Sequence, residues 1–217
     1  MKKYSIIMDI LLIRHAQSKG NSTNTVQGHL DEGLSELGKE QAKGVSEHFK
    51  VTDLNAIYSS DLDRAIQTAE PLAKKLVLDI KKDQDLREAD FGLWEGLTYD
   101  EVKEKFPKEH SDWHKNYHVR PPWFESFDSH FKRVRRALEK ILKIHDLSDS
   151  VAIFTHGGSI KTQIGYFNKL TGEELTQFTN SNCSLTLIKF NPSKIYDNGK
   201  LIYYNKSVIS PVTQREL

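Results

Sequence analysis

The chain of 217 residues contains one cysteine, carries almost no net charge and has no apolar run long enough to cross a bilayer. The single cysteine, Cys183, cannot form an internal disulfide, and this favours a reducing compartment. Its place in a strand-like segment indicates a small buried side chain rather than a nucleophile. Since 31 Lys and Arg residues stand against 30 Asp and Glu residues, the charge gives no general attraction to nucleic acid or acidic membranes. Any anion-binding site must therefore be local.

The N-terminal segment has a basic start and an apolar run, as a targeting signal would, but Asp9 and Arg14 interrupt it. We interpret residues 6–13 as a buried strand. A cytoplasmic protein is therefore expected, with no nucleic-acid partner and no membrane partner. The sequence leaves the oligomeric state open, with a homodimer as one option.

Hydrophobic patterning predicts strands that alternate with amphipathic helices. This order predicts an α/β fold with three layers, in which a mostly parallel central sheet is flanked by helices. One domain over residues 1–217 is expected, with a small cap insert at about 97–127, of which 108–124 has no regular pattern. The predicted strands are 6–13, 56–59, 76–80, 151–155, 184–190 and 201–204, the last two joined around Asn198-Gly199. The predicted helices are 35–49, 62–76 after an N-cap at Ser60-Asp61 and with a kink at Pro71, a short helix from Thr98 that ends before Pro107, 127–145, and 157–170.

Basic and imidazole side chains follow three of the predicted strands. His15 and His156 come directly after two of them, with Arg14 beside the first, and Arg64 follows a third. Neutral imidazole is a good nucleophile, and the arginine fork matches the oxygens of a phosphoryl group. Together these residues suggest phosphoryl chemistry, although each taken singly also fits an ordinary surface or loop position.

Five motifs occur along the chain in one order: Arg14-His15-Ala16-Gln17-Ser18 with Asn21; Gln27-Gly28 with Leu34-Ser35 and Gly38; Ser59-Ser60-Asp61-Leu62 with Arg64-Ala65 and Thr68-Ala69; Leu86-Arg87-Glu88 with Phe91-Gly92 and Trp94-Glu95-Gly96; and Thr155-His156-Gly157-Gly158. Their order and spacing strongly resemble the histidine phosphatase superfamily, in its phosphoglycerate-mutase-like branch. The resemblance covers about residues 8–185 and implies a site at the ends of the strands.

The resemblance also implies a role for each matching residue. His15 would be the phosphorylated nucleophile and Glu88 the proton donor to the leaving oxygen. Arg14, Arg64 and His156 would hold the phosphoryl oxygens, so that catalysis rests on positioning and electrostatics. The donor role calls for a partly buried carboxyl; the alternative for Glu88 is a salt bridge to Arg87 on an exposed turn. No metal or cofactor is implied. The residues that would line the phosphate and substrate side are Asn21, Gln27, Gly28 and Gly157.

The chain departs from the common family pattern at three positions. Ala16 stands where many members have glycine, and its small side chain should cost nothing. Gly33 replaces a common proline before the Leu-Ser helix start, which should loosen the loop at 27–34. Phe124 stands where many members have glycine, so the cap should close on substrate differently.

The length of the insert bears on the reaction. Glu88 and His156 are 68 positions apart (156 − 88). In the family that the chain resembles, cofactor-dependent phosphoglycerate mutases have a longer insert between the matching positions. We therefore predict a metal-independent hydrolase for a small-molecule phosphomonoester. The alternatives are a cofactor-dependent phosphoglycerate mutase and a phosphoprotein-binding or regulatory protein of the same fold. The insert aromatics either contact an apolar part of the substrate or pack on their own domain: Trp113, Tyr117, Trp123 and Phe124.

Overall fold

The computed structural model of the chain describes residues 8–146, 148–190 and 199–208. Strands and helices alternate along most of this length. The strands are β1 (Met8–Arg14), β2 (Ala56–Ser59), β3 (Ile80–Lys82), β4 (Ser150–Thr155), β5 (Ser184–Phe190) and β6 (Gly199–Ser207). The helices are α1 (Lys19–Ser22), α2 (Glu36–His48), α3 (Asp63–Leu76), α4 (Tyr99–Lys105), α5 (Pro107–Lys115), α6 (Phe127–Ile144), α7 (Gly157–Asn168) and α8 (Gly172–Thr176).

The six strands form one sheet in the order β3-β2-β4-β1-β5-β6. Parallel pairing joins β3, β2, β4 and β1, whereas β5 is antiparallel to both of its neighbours. The predicted α/β fold with a mostly parallel sheet is therefore confirmed.

Side chains of β1 alternate between two apolar cores, one on each face of the sheet. Leu11 and Ile13 belong to the core that includes residues of α2 and α3. Ile10 and Leu12 belong to the core built with residues of α6 and α7. This strand is buried on both faces, which explains its nearly continuous aliphatic sequence.

Local sequence signals set several helix ends as predicted. Ser35 caps α2 by accepting a hydrogen bond from the backbone N–H of Gly38. Thr98 and Glu101 form the expected reciprocal capping box of α4, which ends before Pro107. No helix within the described ranges is long and apolar enough to be a candidate for crossing a membrane.

The predicted N-cap of α3 is wrong. The helix begins at Asp63, and the residue at the cap position, Leu62, offers no side-chain hydrogen bond. Asp31 supplies the acceptor instead, because its carboxylate accepts hydrogen bonds from the backbone N–H groups of Asp63 and Arg64. A residue distant in sequence therefore satisfies the free donors at the start of this helix.

Two further predictions differ from the structure. The strand expected at 76–80 is displaced to β3, because α3 continues to Leu76 and ends with Val77 in the left-handed conformation at φ 55°. The segment expected to be irregular contains α5, which starts at Pro107, since proline suits the first helical position. The strand pair β5 and β6 forms as predicted, while Asn198 in its expected turn lies outside the described residues.

The aromatic residues after Glu88 form a third apolar cluster. Trp94 is buried at its centre, with 1% of its surface exposed, and packs edge-on against Phe124 at 4.7 Å between ring centroids. Trp113 and Trp123 pack against the same cluster. Trp113, Trp123 and Phe124 therefore pack on their own domain, which is one of the two predicted alternatives.

Candidate active site

The strand register brings the candidate residues to one edge of the sheet. Arg14 at the end of β1 pairs with Thr155 at the end of β4, and Ser59 at the end of β2 pairs with Phe154. Because these strands are parallel neighbours, the loops that follow them leave the sheet at the same edge. His15 and His156 are the first residues beyond β1 and β4.

His15 is buried and oriented by its own backbone. Its Nδ1 lies 2.7 Å from the carbonyl oxygen of Ala16. A carbonyl only accepts hydrogen bonds, so Nδ1 carries the proton and Nε2 keeps its lone pair. Burial, and after it the charges of Arg64 and Arg14, holds the pKa of His15 well below its ordinary value of 6.5. His15 is therefore a neutral imidazole at neutral pH, with the proton on Nδ1 and a lone pair on Nε2.

His156 lies beside His15, with 5.2 Å between the ring centroids. It is fully buried, and neither ring nitrogen has a hydrogen-bond partner within the described parts of the chain. Burial, followed by the charges of Arg64 and His15, lowers its pKa well below 6.5. A neutral imidazole still offers one N–H donor to an oxygen placed between the two rings.

Arg64 is the most buried arginine of the site, with 1% of its side chain exposed. Its Nη2 donates to the carbonyl oxygen of Gly28 at 2.6 Å, and its Nη1 donates to that of Leu30 at 2.8 Å and contacts Asp31 at 3.3 Å. Burial lowers its pKa from the usual range of an arginine, and the charge of Asp31 opposes this change. Arg64 therefore also fixes the loop that follows α1.

Arg14 is held from the opposite side, since its Nη1 donates to the carbonyl oxygen of Asn180. Burial is the main cause that lowers the pKa of its guanidinium, and Glu88 opposes it. The Nε atoms of Arg14 and Arg64 are buried and have no hydrogen-bond partner among the described residues. Buried donors of this kind require an acceptor, and the oxygens of a phosphoryl group fit that need.

Glu88 lies across the cleft with 13% of its side chain exposed. Its Oε1 accepts from the backbone N–H of Ala89 and its Oε2 from that of Gly158, both at 2.9 Å. Nε2 of the buried His130 lies 3.9 Å from Oε1. The alternative salt bridge to Arg87 is wrong, because Arg87 binds both carboxylate oxygens of Asp61 at 2.7 and 2.6 Å.

The backbone that carries Glu88 is clamped by Arg133 of α6. Its guanidinium donates to the carbonyl oxygens of Asp85 at 3.1 Å, Arg87 at 2.6 Å and Glu88 at 2.6 Å. The same group binds both oxygens of Glu125 at 2.7 Å. One planar fork thus satisfies three backbone acceptors and fixes the segment from which Glu88 projects.

A cleft of about 310 Å³ opens at this edge of the sheet. Among the predicted residues, it is lined by Arg14, Glu88 and Gly157. Other lining residues are Phe91, Tyr99, Trp113, Tyr117, Gly158, Lys161, Phe178, Thr179 and Asn180. A second cavity of about 230 Å³ lies between α6 and α7 and contains none of the predicted site residues. No group of three or more His, Cys, Asp or Glu side chains arranged to hold a metal ion occurs in the described residues.

The predicted phosphate-side residues divide into two groups. Gly28 reaches the site through its carbonyl contact with Arg64, and Gly157 begins α7 beside Arg14. Asn21 and Gln27 are not among the residues that line the cleft, and neither are Gly28 and the buried residues His15, Arg64 and His156 behind it. Asn21 instead caps α1 and accepts a hydrogen bond from Asn182 at 3.2 Å.

Gly33 fits its position better than the common proline would. Its φ is +72°, which proline cannot adopt. The next residue, Leu34, is held by a hydrogen bond from its N–H to the side chain of Gln67 at 2.9 Å. The expected loosening of this loop is therefore offset by a side-chain contact from α3.

Several cleft residues were not found from the sequence. Lys161 had a usable signal, because it lies four residues after Gly157 and so on the same face of the helix. Tyr99 and Tyr117 come from the insert, and Asn180 follows α8; no spacing rule links these residues to the strand ends. Only the folded chain brings them to Arg14.

Comparison with known proteins gives a consistent result. A family model described as "Histidine phosphatase superfamily (branch 1)" matches residues 10–196. Phosphoserine phosphatase 1 of Hydrogenobacter thermophilus is 33% identical over 178 residues, 82% of each chain. A 2,3-bisphosphoglycerate-dependent phosphoglycerate mutase of Parvibaculum lavamentivorans is 31% identical, over 76% of this chain and 82% of that protein. The structure of mycobacterial glucosyl-3-phosphoglycerate phosphatase with VO3 has a TM-score of 0.83 at 28% identity, covering 92% of this chain and 99% of the other.

Proposed function

This chain belongs to the histidine phosphatase superfamily, and on that premise we propose that it hydrolyses phosphomonoesters without a metal, through a phosphohistidine at His15. The observation that carries the proposal is the state of His15. Its Nδ1 donates to the Ala16 carbonyl oxygen, so its Nε2 keeps a lone pair. Two arginines stand beside it, and within the described residues their buried Nε atoms have no hydrogen-bond partner. A neutral nucleophile among fixed cations is suited to attack on a phosphoryl group.

In the first step, Nε2 of His15 forms a bond to phosphorus while the ester P–O bond breaks. The electron pair of that bond goes to the leaving oxygen, which takes a proton from the carboxyl of Glu88. Arg14, Arg64 and His156 stabilise the charge on the phosphoryl oxygens from fixed positions. The products of this step are the free alcohol, phosphohistidine and a Glu88 carboxylate.

In the second step, the Glu88 carboxylate accepts a proton from water as the water oxygen attacks phosphorus. The P–N bond breaks and its electron pair returns to Nε2 of His15. Inorganic phosphate leaves, and both side chains regain their starting protonation states. The two backbone N–H donors from Ala89 and Gly158 keep the carboxylate in place in both steps.

The relatives support a small molecule as substrate, since they include proteins named phosphoserine phosphatase and glucosyl-3-phosphoglycerate phosphatase. We also propose a cytoplasmic location, which the single cysteine supports. One relative is named as a phosphoglycerate mutase, so transfer of the phosphoryl group to another hydroxyl group, instead of to water, is the second candidate.

The test is release of inorganic phosphate from p-nitrophenyl phosphate in excess chelator. Wild type should release phosphate, His15→Ala should not, and His48→Ala should behave as wild type because His48 lies at the exposed end of α2. Phosphoenzyme trapped in denaturing alkali, which preserves the P–N bond, should carry its label on His15. Label on another residue would refute the nucleophile. Absence of phosphate release together with interconversion of 3- and 2-phosphoglycerate would replace hydrolysis by mutase activity.

A further inference from the structure

Lys161 places a second cation in the wall of the cleft, beside Arg14. It lies on α7, one helical turn after Gly157, and lines the cleft together with Arg14 and Glu88. Its ammonium nitrogen is 4.6 Å from the ring centroid of Tyr117, which forms part of the same wall. The lysine therefore points along the cleft wall and is partly buried there.

The ammonium of Lys161 has no carboxylate within 4.0 Å in the described parts of the chain. Glu88 is the one acid among the described residues that line the cleft. It must be protonated to serve as proton donor in the proposed first step. Burial lowers the pKa of Lys161 to about 8, with Glu88 raising it and Arg14 lowering it, so the side chain is mostly charged at neutral pH while Glu88 is ionised. When substrate is bound and Glu88 is protonated, no acid of the cleft wall balances this charge.

We infer that Lys161 binds a carboxylate of the substrate, so that the preferred substrates are phosphate esters of small hydroxy acids. The inference rests on the proposed function, because the phosphoryl group must lie beside both His15 and Arg14, and Arg14 also lines the cleft. Gly157 and Lys161 are one helical turn apart on α7, so a ligand that reaches from Arg14, beside Gly157, to the ammonium of Lys161 is a small molecule.

The size and walls of the cleft fit the same class of substrate. Its volume of about 310 Å³ is at the lower end of the range for ligand sites. Phe91, Trp113 and Phe178 line it beside the hydroxyl-bearing Tyr99 and Tyr117. A charged group in a site with apolar walls gains more from one fixed partner than it would in water.

The experiment compares two esters that differ in one group. In 3-phosphoglycerate a carboxylate stands where glycerol 3-phosphate has a hydroxymethyl group. Wild type should have the higher kcat/KM for 3-phosphoglycerate, and Lys161→Gln should reduce the ratio of the two values by about tenfold, mainly through KM, as for loss of one hydrogen bond to a charged group. Lys161→Arg should keep most of the preference. Lys103→Gln on α4, an exposed position, controls for loss of a surface lysine.

Other outcomes separate the two proposals. An equal fall for both esters in Lys161→Gln would show that the lysine only packs on Tyr117, and would overturn the inference. Hydrolysis of p-nitrophenyl phosphate by wild type with no preference for 3-phosphoglycerate would overturn it as well, while leaving the phosphatase intact. Absence of hydrolysis of all three esters would overturn the proposed function and this inference with it.

Discussion

Replacing Gly158 by alanine displaces the proposed proton donor without changing its chemistry. A methyl group on Gly158 would lie 2.2 Å from Oε1 of Glu88 and 2.9 Å from the hydroxyl oxygen of Tyr117. An ordinary contact begins at 3.4 Å, so the carboxylate oxygen must move by about 1.2 Å. The backbone N–H groups of Ala89 and Gly158 donate to the two oxygens of this carboxylate, so moving it disturbs both hydrogen bonds. A misplacement of about 1 Å can cost on the order of 10²-fold in rate.

The loss should depend on the leaving group. A strongly basic alkoxide needs a proton as it leaves, whereas p-nitrophenolate leaves with little help. We expect kcat in Gly158→Ala to fall by about 10²-fold for an alkyl phosphate that wild type hydrolyses, and by less than about tenfold for p-nitrophenyl phosphate. Steady-state phosphate release at neutral pH measures both values, and thermal unfolding shows whether the variant is folded.

Gly157→Ala is the matched control. Its methyl group would meet Nε of Arg14 at 3.6 Å, an ordinary contact, and would not touch Glu88. The kcat of Gly157→Ala for the alkyl phosphate should therefore stay at least about tenfold above the kcat of Gly158→Ala for the same ester. Equal losses for alkyl and aryl esters in Gly158→Ala, or a wild-type rate for the alkyl ester, would refute the role given to Glu88.

Two further predictions concern buried charge. Burial, followed by nearby arginines, holds the pKa values of His15, His130 and His156 well below 6.5, so the unfolded chain binds more protons than the folded one just below that pH. Above pH 6.5 the free energy of unfolding should therefore not change through these histidines. Below that pH it should fall by up to about 1.4 kcal/mol per pH unit for each histidine. Equal urea midpoints at pH 7 and pH 5.5 would contradict this. Arg133→Lys keeps the charge but not the fork that clamps the Glu88 backbone, so kcat should fall about tenfold with KM nearly constant, whereas a rise in KM alone would contradict a positioning role.

The sequence predicted those features that depend on neighbours along the chain. Apolar runs predicted the central strands, because a strand covered on both faces must be apolar throughout. Ser35 and Thr98 predicted helix starts, because a cap lies two or three residues from the N–H groups it binds. The sequence predicts Pro107 only as the end of one helix, yet the residue also begins the next. A proline at this position is compatible with the end of one helix and with the start of another. Packing of Trp113 against the aromatic cluster stabilises the second helix, α5.

At the site, the sequence alone predicts the order of the chemical groups: a histidine after each of two strands, an arginine on a helix, and a carboxylate in a turn. The tertiary structure decided their states and partners. Asp31 caps α3, Arg133 clamps the Glu88 backbone and Lys161 enters the cleft. The reason is physical: periodicity and caps act over a few residues, whereas burial, hydrogen-bond partners and electrostatic environment are set by segments that meet only after folding.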